Sequence, residues 1–152
     1  LSTDKHPRIS TRVGPSRLPG YMVLSMLLPG QVYSYYGDEI GMTDSKAPWN
    51  DTQSDTQARL TADSLVEYSR NAPRTPMQWN GATNTAGFST NETTYLPVNE
   101  NYDYQNVESL IDEPSSTLNT YKKLVKLRKE PVFQFGHLNI GTLNNDTVLV
   151  IK

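Results

Sequence analysis

Two adjacent carboxylates, Asp38 and Glu39, lie between Gly37 and Gly41 and directly follow an aromatic, β-branched stretch. If that stretch is a strand, both carboxyl groups stand at its carboxyl end, where α/β proteins place catalytic and binding groups. One interpretation is that the two carboxylates perform acid/base chemistry. The other is that they bind backbone amides or an arginine. Because neighbouring residues of an extended chain alternate faces, we expect the two carboxylates to point in different directions.

Arg74 lies between Pro73 and Pro76 and close to Trp79. The two prolines restrict φ and predict a stiff loop that presents the guanidinium. A guanidinium offers a fixed fork of hydrogen-bond donors, which suits sugar hydroxyls or a carboxylate. An ordinary salt bridge fits the same residue equally well, and the sequence leaves both interpretations open.

No pattern in the sequence predicts a metal or cofactor site in this segment. Cysteine is absent, which excludes disulfides and thiolate ligands. His6 and His137 lie far apart and lack acidic neighbours at ligand spacing. We therefore expect these residues to hold neither a metal nor a cofactor.

Charge and hydropathy exclude several classes of partner. The chain of 152 residues carries a net charge of −2 from 14 basic and 16 acidic side chains. Neither sign dominates, which argues against an electrostatic nucleic-acid binder and leaves no polybasic patch for a membrane surface. No apolar run approaches the ~20 residues of a membrane-spanning helix, so we expect membrane association only through parts beyond this chain.

The apolar fraction is low for an independent domain. Apolar residues, counted with the nine tyrosines and without glycine, make up 36% of the chain. Counting the nine glycines in place of the tyrosines gives the same 36%, against the roughly 45–50% of ordinary soluble proteins. A domain with so little apolar material does not readily offset its chain entropy. We therefore expect the chain to be part of a larger protein and to require the rest of it.

Three Asn-X-Thr sequons predict N-glycosylation, at Asn50, Asn91 and Asn145. Glycans of this kind are bulky and lie on the surface. The sequons therefore favour a secreted or extracellular-facing location.

An apolar stretch at residues 21–28 predicts a helix that is buried or partly sandwiched, because apolar residues occupy every side of it. Pro19 and Pro29 mark its two ends. The aromatic, β-branched residues 32–36 predict a short strand directly after it. A buried helix beside a buried strand favours an α/β fold with a parallel sheet.

A second helix is predicted after a loop-rich, ordered region at residues 43–114. Pro114-Ser115-Ser116 offers an N-cap, and Pro131 ends the helix. Apolar residues recur with helical period along one face. Its basic residues are expected to form a solvated face: Lys122, Lys123, Lys126, Arg128 and Lys129.

The last part of the chain predicts a β-hairpin. Residues 138–142 and 147–151 have strand-like composition. The residues Asn144-Asn145-Asp146 between them are typical of a turn. We expect the two segments to pair antiparallel.

Several longer motifs occur in one order along essentially the whole chain. Residues 29–42, PGQVYSYYGDEIGM, resemble the end of the eighth barrel strand in glycoside hydrolase family 13, the α-amylase family. RTPMQW at residues 74–79, with AGFS at 86–89 and LPVN at 96–99, resembles the oligo-1,6-glucosidase and maltase branch of that family. Further resemblance is carried by RISTRVG at residues 8–14, similar to insect maltases, and by residues 106–108 and 121–129.

The resemblance implies a (β/α)₈ barrel of the α/β class, a fold of typically about 250 residues. This chain would supply its last quarter, from the end of strand seven to helix eight. Residues 1–131 are thereby assigned to the barrel, and residues 132–152 to the start of a C-terminal all-β domain, a β-sandwich.

The resemblance also implies retaining hydrolysis of α-glucosidic bonds, in which one carboxylate is the nucleophile and another is acid and then base. Both would lie upstream of Leu1. A third family carboxylate, in an Asn-His-Asp motif followed by two residues and an arginine, stabilises the transition state. Asp4 takes its position if one residue is inserted before Arg8; otherwise Lys5, which cannot accept hydrogen bonds, stands there.

By the same resemblance, Arg8 is a pocket residue and Arg74 hydrogen-bonds the sugar at the cleavage site. Two functions stay open. One is an active α-glucosidase that hydrolyses a small oligosaccharide or a disaccharide such as maltose or sucrose, which the motif around Arg74 favours. The other is a catalytically inactive glycosidase-like receptor, or an ectodomain like the heavy subunits of amino-acid transporters, which the altered residues around Asp4 favour.

Overall fold

The computed structural model describes residues 2–45 and 71–152, and within these ranges it is mainly helical or loop. None of the helices there is long and apolar enough to cross a lipid bilayer. The predicted glycosylation site Asn50 lies outside the described residues. The elements are α1 (Ile9–Val13), α2 (Leu18–Leu27), 3₁₀ turns at Asp38–Ile40 and Ala72–Arg74, α3 (Val107–Ile111), α4 (Thr117–Arg128), α5 (Pro131–Phe135), β1 (Ile140–Leu143) and β2 (Val148–Ile151).

Helix α2 confirms the helix predicted from the apolar stretch, and it begins at Leu18 with a proline in its first turn. Proline suits this place because the first N–H groups of a helix have no partner within it. Leu18, Met22 and Met26, four residues apart, share one face and are 2–5% exposed. Tyr21 and Val23 are 40% and 39% exposed, so α2 buries one face and leaves another open.

The larger core cluster forms where α2 packs on α4. Ile9 of α1 joins Leu18, Met22 and Met26 of α2, and all of them pack with Leu124 of α4 in one cluster. Burying a side chain of this size contributes about 1.5–3 kcal/mol relative to leaving it exposed. The cluster therefore joins segments that lie far apart along the chain.

Both ends of α4 follow the predicted signals. The Ser116 Oγ accepts a hydrogen bond from the Asn119 amide at 3.1 Å and donates one to the Leu110 carbonyl at 2.7 Å. The helix ends at Arg128, and Pro131 then opens α5 instead of a strand. The segment assigned to the all-β domain thus starts with a helical turn, and the domain boundary stays a prediction.

Residues 32–36 do not form the predicted strand within the described part of the chain. A strand needs a neighbour for its N–H and C=O groups, and the sheet found among the described residues contains β1 and β2 only. Side chains hold the segment instead: the Ser34 Oγ lies 2.5 Å from the Tyr121 Oη, and the Tyr36 hydroxyl donates to the Thr75 carbonyl at 2.7 Å. The strand prediction is wrong for these residues, because no strand within residues 2–45 and 71–152 lies beside them.

Strands β1 and β2 confirm the predicted hairpin, and they pair antiparallel with Leu143 opposite Val148 next to the turn. The turn residues 144–146 adopt positive φ angles of 52–65°, which Asn and Asp tolerate better than other non-glycine residues. Every residue of both strands is exposed. The hairpin therefore adds no core to the part of the chain that the structure describes, and the β-sandwich that it was expected to begin stays a prediction.

Arg128 corrects the expectation that the basic residues of α4 form a solvated face. Its Nη1 donates to the carbonyls of Met26 at 2.9 Å and Leu28 at 2.5 Å, and its Nη2 donates to the Gly30 carbonyl. The last carbonyls of a helix lack hydrogen-bond partners within it. The guanidinium of Arg128, which belongs to α4, donates to these carbonyls at the end of α2. The four lysines of the same group are exposed, as expected.

A second cluster fastens the loops to α4. It consists of Ile40, Met42, Met77 and Leu118, and the first two of these are 0% exposed. Ile40 and Met42 belong to the turn with the adjacent carboxylates, whereas Met77 belongs to the loop with the RTPMQW motif. The two loops that carry the predicted chemistry therefore lie side by side.

In the complete protein, we expect Arg128→Met to lower the free energy of unfolding by about 1.5–3 kcal/mol, the usual contribution of hydrogen bonds to a charged group. Methionine retains helix propensity and much of the side-chain length, so the change isolates the lost donors. The control is Lys126→Met at an exposed site in the same helix. This substitution should change the free energy of unfolding by no more than about 0.5 kcal/mol. Urea denaturation measures both, and equal effects would contradict the capping role.

Candidate active site

A cleft of about 580 Å³ opens between the two loops. Glu39 and Arg74 are the charged residues among its described lining, and Tyr36, Trp79 and Phe88 add aromatic rings. Small-molecule sites are commonly concavities of about 300–1,000 Å³ with apolar walls and a few polar groups. The cleft therefore has the size and lining of a ligand site.

Arg74 and Asp4, two residues singled out from the sequence, form an ion pair on the edge of this cleft. The Arg74 Nη2 lies 2.8 Å from the Asp4 Oδ2, and the Arg74 Nε donates to the Asp4 carbonyl at 3.1 Å. The two side chains are 34% and 47% exposed. The guanidinium thus makes the salt bridge that was one of the two interpretations, and it also lines the cleft; its recognition of a sugar stays a prediction.

The loop that presents Arg74 is held on both sides. The Ser45 amide donates to the Ala72 carbonyl at 3.1 Å, and the Tyr36 hydroxyl donates to the Thr75 carbonyl at 2.7 Å. Pro73 and Pro76 are buried. These contacts hold the loop at both ends of the segment between the two prolines, and its stiffness stays a prediction.

The adjacent carboxylates separate, as the sequence predicted. Asp38 is 8% exposed; its Oδ1 accepts from the Ser2 hydroxyl at 2.6 Å and its Oδ2 from the Tyr35 amide at 3.3 Å. Glu39 lines the cleft. Gly37 and Gly41 bracket the turn with φ angles of 84° and 71°, a region that glycine adopts without strain. Asp38 therefore holds the loop, and Glu39 is the member that faces the cleft.

Arg8 lies behind the cleft rather than on its surface. It is 0% exposed, and its Nη1 donates to the Tyr36 carbonyl at 2.6 Å. Its guanidinium carbon lies 5.1 Å from the ring centroid of Tyr35 and 4.8 Å from that of Tyr36, within the range of cation–π contacts. The Nε and Nη2 atoms have no hydrogen-bond partner among the described residues. Arg8 therefore reaches the pocket through Tyr36, and the direct substrate contact expected from the resemblance stays a prediction.

Asp44 is a supporting carboxylate that the sequence analysis missed. Its two carboxylate oxygens accept hydrogen bonds from the Arg8 amide at 3.0 and 3.1 Å. Burial raises the pKa of Asp44, and the hydrogen bonds from Arg8 and Thr11 oppose that rise. No motif marks this residue, because its partner lies 36 positions away and the contact is made only in three dimensions.

Tyr35 is excluded as a base by its surroundings. Burial, together with the neighbouring Tyr36, raises the pKa of Tyr35 to about 12. The two rings lie 4.6 Å apart between centroids. The phenol therefore stays protonated at neutral pH and acts as a hydrogen-bond donor and a stacking surface.

A tight loop positions the aromatic rings of the cleft. The Ala86 carbonyl accepts hydrogen bonds from the amides of Trp79 at 2.8 Å and Asn80 at 3.2 Å. Ala86 is 0% exposed and has a φ of 50°, and the following Gly87 has a φ of 69°. The AGFS motif contains the sequence signal for this turn, which is Gly87 directly before Phe88. The motif does not indicate that the turn binds the backbone of Trp79.

Neither histidine of the sequence lies in a metal-binding cluster within the described ranges 2–45 and 71–152. No group of three or more His, Asp or Glu side chains there is arranged to hold a metal ion. The Nδ1 of His6 lies 2.9 Å from the Thr3 Oγ1, so this imidazole makes a hydrogen bond to a near neighbour in the sequence. His137 is exposed.

Comparison with known proteins identifies relatives along nearly the whole chain. The family described as Alpha amylase, catalytic domain, matches residues 2–136. Maltase A1 of Drosophila melanogaster is 36% identical over 98% of this chain. The salivary alpha-glucosidase of Aedes aegypti is 37% identical over 100% of it, and an oligo-1,6-glucosidase of Parageobacillus thermoglucosidasius is 32% identical over 99%. The chain covers 26%, 26% and 33% of these relatives, respectively.

Solved structures give the same result for the fold. A mutant isomaltulose synthase from Erwinia rhapontici in complex with sucrose superposes with a TM-score of 0.80 at 25% identity, over 99% of this chain and 31% of that one. The trehalose-6-phosphate hydrolase of Bacillus licheniformis superposes with a TM-score of 0.75 at 29% identity, over 92% and 29%. Both likenesses are consistent with part of a (β/α)₈ barrel.

The order of motifs, the paired loops around the cleft and these similarities agree with one another. The family match takes in the cleft-lining residues described here as well as α2, α4 and α5. The chain therefore belongs to the α-amylase family, glycoside hydrolase family 13.

Proposed function

We propose that the complete protein is a retaining α-glucosidase that hydrolyses the terminal α-glucosidic bond of a disaccharide or small oligosaccharide. The chain spans about a quarter of the length of the insect relatives it matches, and those relatives are named as a maltase and an alpha-glucosidase. The observation that carries the proposal is the Arg74 guanidinium, which Asp4 holds at 2.8 Å on the edge of a cleft shared with Glu39.

Within this chain the proposed task is recognition of the sugar. The fork of donors on Arg74 suits adjacent hydroxyl groups, and the Glu39 carboxylate accepts from hydroxyls on the same cleft. Asp4 fixes the direction of the guanidinium, and in the gapped alignment it also stands where the family has its transition-state carboxylate. We assign Asp4 and Arg74 to the glucosyl unit that is cleaved.

The bond-breaking steps are assigned to residues outside this chain. In the retaining mechanism a carboxylate attacks the sugar and a carboxylic acid protonates the leaving group, and the acid then serves as a base toward water. The resemblance places both groups on earlier barrel strands. Residues 1–131 would then complete the barrel around them, and residues 132–152 would begin the all-β domain.

The alternative function, an inactive receptor or transporter ectodomain, receives no support from the relatives described above. Their names are those of enzymes that act on α-glucosides. The replaced residues around Asp4 leave its carboxylate paired with Arg74, so the local change does not remove the acidic group. We therefore retain the enzyme as the proposal.

A secreted location is part of the proposal. Two relatives are named salivary alpha-glucosidases, from Aedes aegypti and Anopheles gambiae. The sequon residues Asn91 and Asn145 are exposed, as attachment of a glycan requires. These observations support export of the complete protein.

In the complete protein, we expect Arg74→Ala to lower kcat/KM for maltose by about 10- to 100-fold, because a lost charged hydrogen bond costs about 1.5–3 kcal/mol. The melting temperature should change little, since a half-exposed ion pair contributes only about 0–1 kcal/mol. Steady-state kinetics and thermal melting measure the two effects. The control is Arg17→Ala at an exposed arginine that does not line the cleft.

Asp4→Asn completes a double-mutant cycle with Arg74→Ala. If Asp4 acts by holding Arg74, the loss of kcat/KM in the double variant should be smaller than the sum of the two single losses, in free-energy units. Near-normal kcat/KM in Arg74→Ala with a depressed melting temperature would leave the pair with a structural role only.

The purified 152-residue chain alone is expected to show no turnover of maltose, sucrose or a chromogenic α-glucoside. The reason is that the nucleophile and the general acid of the two-step reaction are assigned to other parts of the protein. Product release is compared with a buffer blank. Turnover above the blank would refute the assignment of those two groups.

A further inference from the structure

An Asn-Gly pair, Asn80 and Gly81, directly follows the RTPMQW motif, and it is the one such pair in the sequence. Asparagine is among the thermally labile residues of proteins, because the backbone nitrogen of the next residue can attack its side-chain carbonyl. Glycine in that next position hinders the attack least, since it has no Cβ. The surroundings of the pair decide whether the folded protein allows the reaction.

The attacking nitrogen, which is the Gly81 amide, is accessible and unbound. Gly81 is exposed, and its N–H makes no hydrogen bond to another described residue. Solvent base can therefore reach the proton that must leave before the nitrogen attacks. No hydrogen bond within the described chain has to be broken first.

The carbonyl under attack, in the Asn80 side chain, is already polarised. Its Oδ1 accepts a hydrogen bond from the Ala82 amide at 3.1 Å, and a bond of this kind folds the side chain back over the following peptide. Attack on Cγ places negative charge on Oδ1. An N–H that points at this oxygen beforehand stabilises that charge, as the donors of an oxyanion hole do.

The fold requires glycine at position 81. A Cβ there would lie 2.8 Å from the Asp103 carbonyl oxygen and 3.2 Å from the Asp103 Cα. Both are backbone atoms, which cannot swing aside as the end of a side chain can. Packing therefore disfavours the larger residues at position 81 that would slow the reaction.

The backbone beside Asn80 holds one wall of the cleft. The amides of Trp79 and Asn80 donate to the Ala86 carbonyl at 2.8 and 3.2 Å, and Trp79 lines the cleft. An isoaspartate at position 80 would route the main chain through its Cβ and Cγ. The main chain would then be one methylene longer between these bonds and the contact of Gly81 with Asp103. Either the bonds to Ala86 or that contact would have to shift.

We propose that Asn80 deamidates spontaneously in the folded protein and that isoaspartate at this position inactivates the cleft. The Gly81 nitrogen loses its proton to solvent base and bonds to the Asn80 Cγ, and Nδ2 takes up a proton and leaves as ammonia. Water then opens the cyclic imide at one of its two carbonyls, which yields aspartate or isoaspartate. The loss of activity rests on the proposed function, whereas the chemical change does not.

The test incubates the complete protein in mildly alkaline buffer and then cuts it after aromatic residues. Cleavage after Trp79 and Phe88 releases residues 80–88, which also contain Asn84, an exposed asparagine followed by Thr85. We expect Asn80 to deamidate about tenfold faster than Asn84, which corresponds to about 1.4 kcal/mol in activation free energy. Mass spectrometry of this peptide measures both rates, and methylation by an isoaspartyl methyltransferase measures the isoaspartate.

Asn80→Ser is the matched variant. The serine hydroxyl can accept from the Ala82 amide, but it offers no carbonyl for the Gly81 nitrogen to attack. During incubation the unmodified protein should lose kcat/KM for maltose in proportion to its isoaspartate content, whereas Asn80→Ser should retain its initial value. Asn84→Ser is the control, and it should lose activity as the unmodified protein does.

The outcomes separate this inference from the proposed function. If the fresh protein does not turn over maltose, the proposed function fails, and the relative rates at Asn80 and Asn84 still decide whether the site deamidates. Equal rates at the two asparagines overturn the inference as a whole. In an active protein, an unchanged kcat/KM despite isoaspartate at position 80, or an equal loss in Asn80→Ser, overturns the inactivation.

Discussion

The burial of the Arg8 guanidinium is the constraint on which the candidate site depends. A buried cation costs several kcal/mol unless it is hydrogen-bonded and paired with groups that favour its charge. The Tyr36 carbonyl and the rings of Tyr35 and Tyr36 supply part of that compensation, and the Arg8 amide is bound by Asp44. Because Tyr36 also lines the cleft and bonds the Thr75 carbonyl, the position of this one cation helps to fix both walls of the cleft.

The same short segment of chain secures the two loops that carry the polar groups. Within residues 2–8, Ser2 binds Asp38, Asp4 binds Arg74, and Arg8 binds Tyr36. Each partner stands at least 28 positions away along the chain, so the segment brings together groups that local structure would leave apart. Binding groups that are oriented before the substrate arrives need not be reorganised at the moment of reaction. The two loops are therefore fixed relative to each other before any ligand enters the cleft between them.

The features that the sequence predicted correctly depend on contacts between near neighbours. Helix α2 follows from an apolar run bounded by prolines, α4 from an apolar period behind the Ser116 cap, and the hairpin from the Asn-Asn-Asp turn. In each case the hydrogen bonds close within a few residues, so composition and spacing are sufficient. Asp38 and Glu39 diverge as predicted, but they do so in a 3₁₀ turn and not through the alternation of an extended chain. The order of several motifs identified the family, and the comparisons confirmed it.

Tertiary structure alone decided the features that join distant residues. The Arg74–Asp4 pair spans 70 positions, and the bonds from Arg128 to the end of α2 span about a hundred. The motif around Arg74 did not identify Asp4 as its partner, and no local pattern distinguishes Arg128 from a solvated arginine. Residues 32–36 have strand composition but no neighbouring strand within the described chain, and a strand exists only when its backbone groups find such a partner. The sequence determined the two longer helices, α2 and α4, and the hairpin, because the signals for these elements are local. The pairing of charges, the burial of Arg8 and the shape of the cleft required the folded chain, because their energies arise from contacts between segments far apart in sequence.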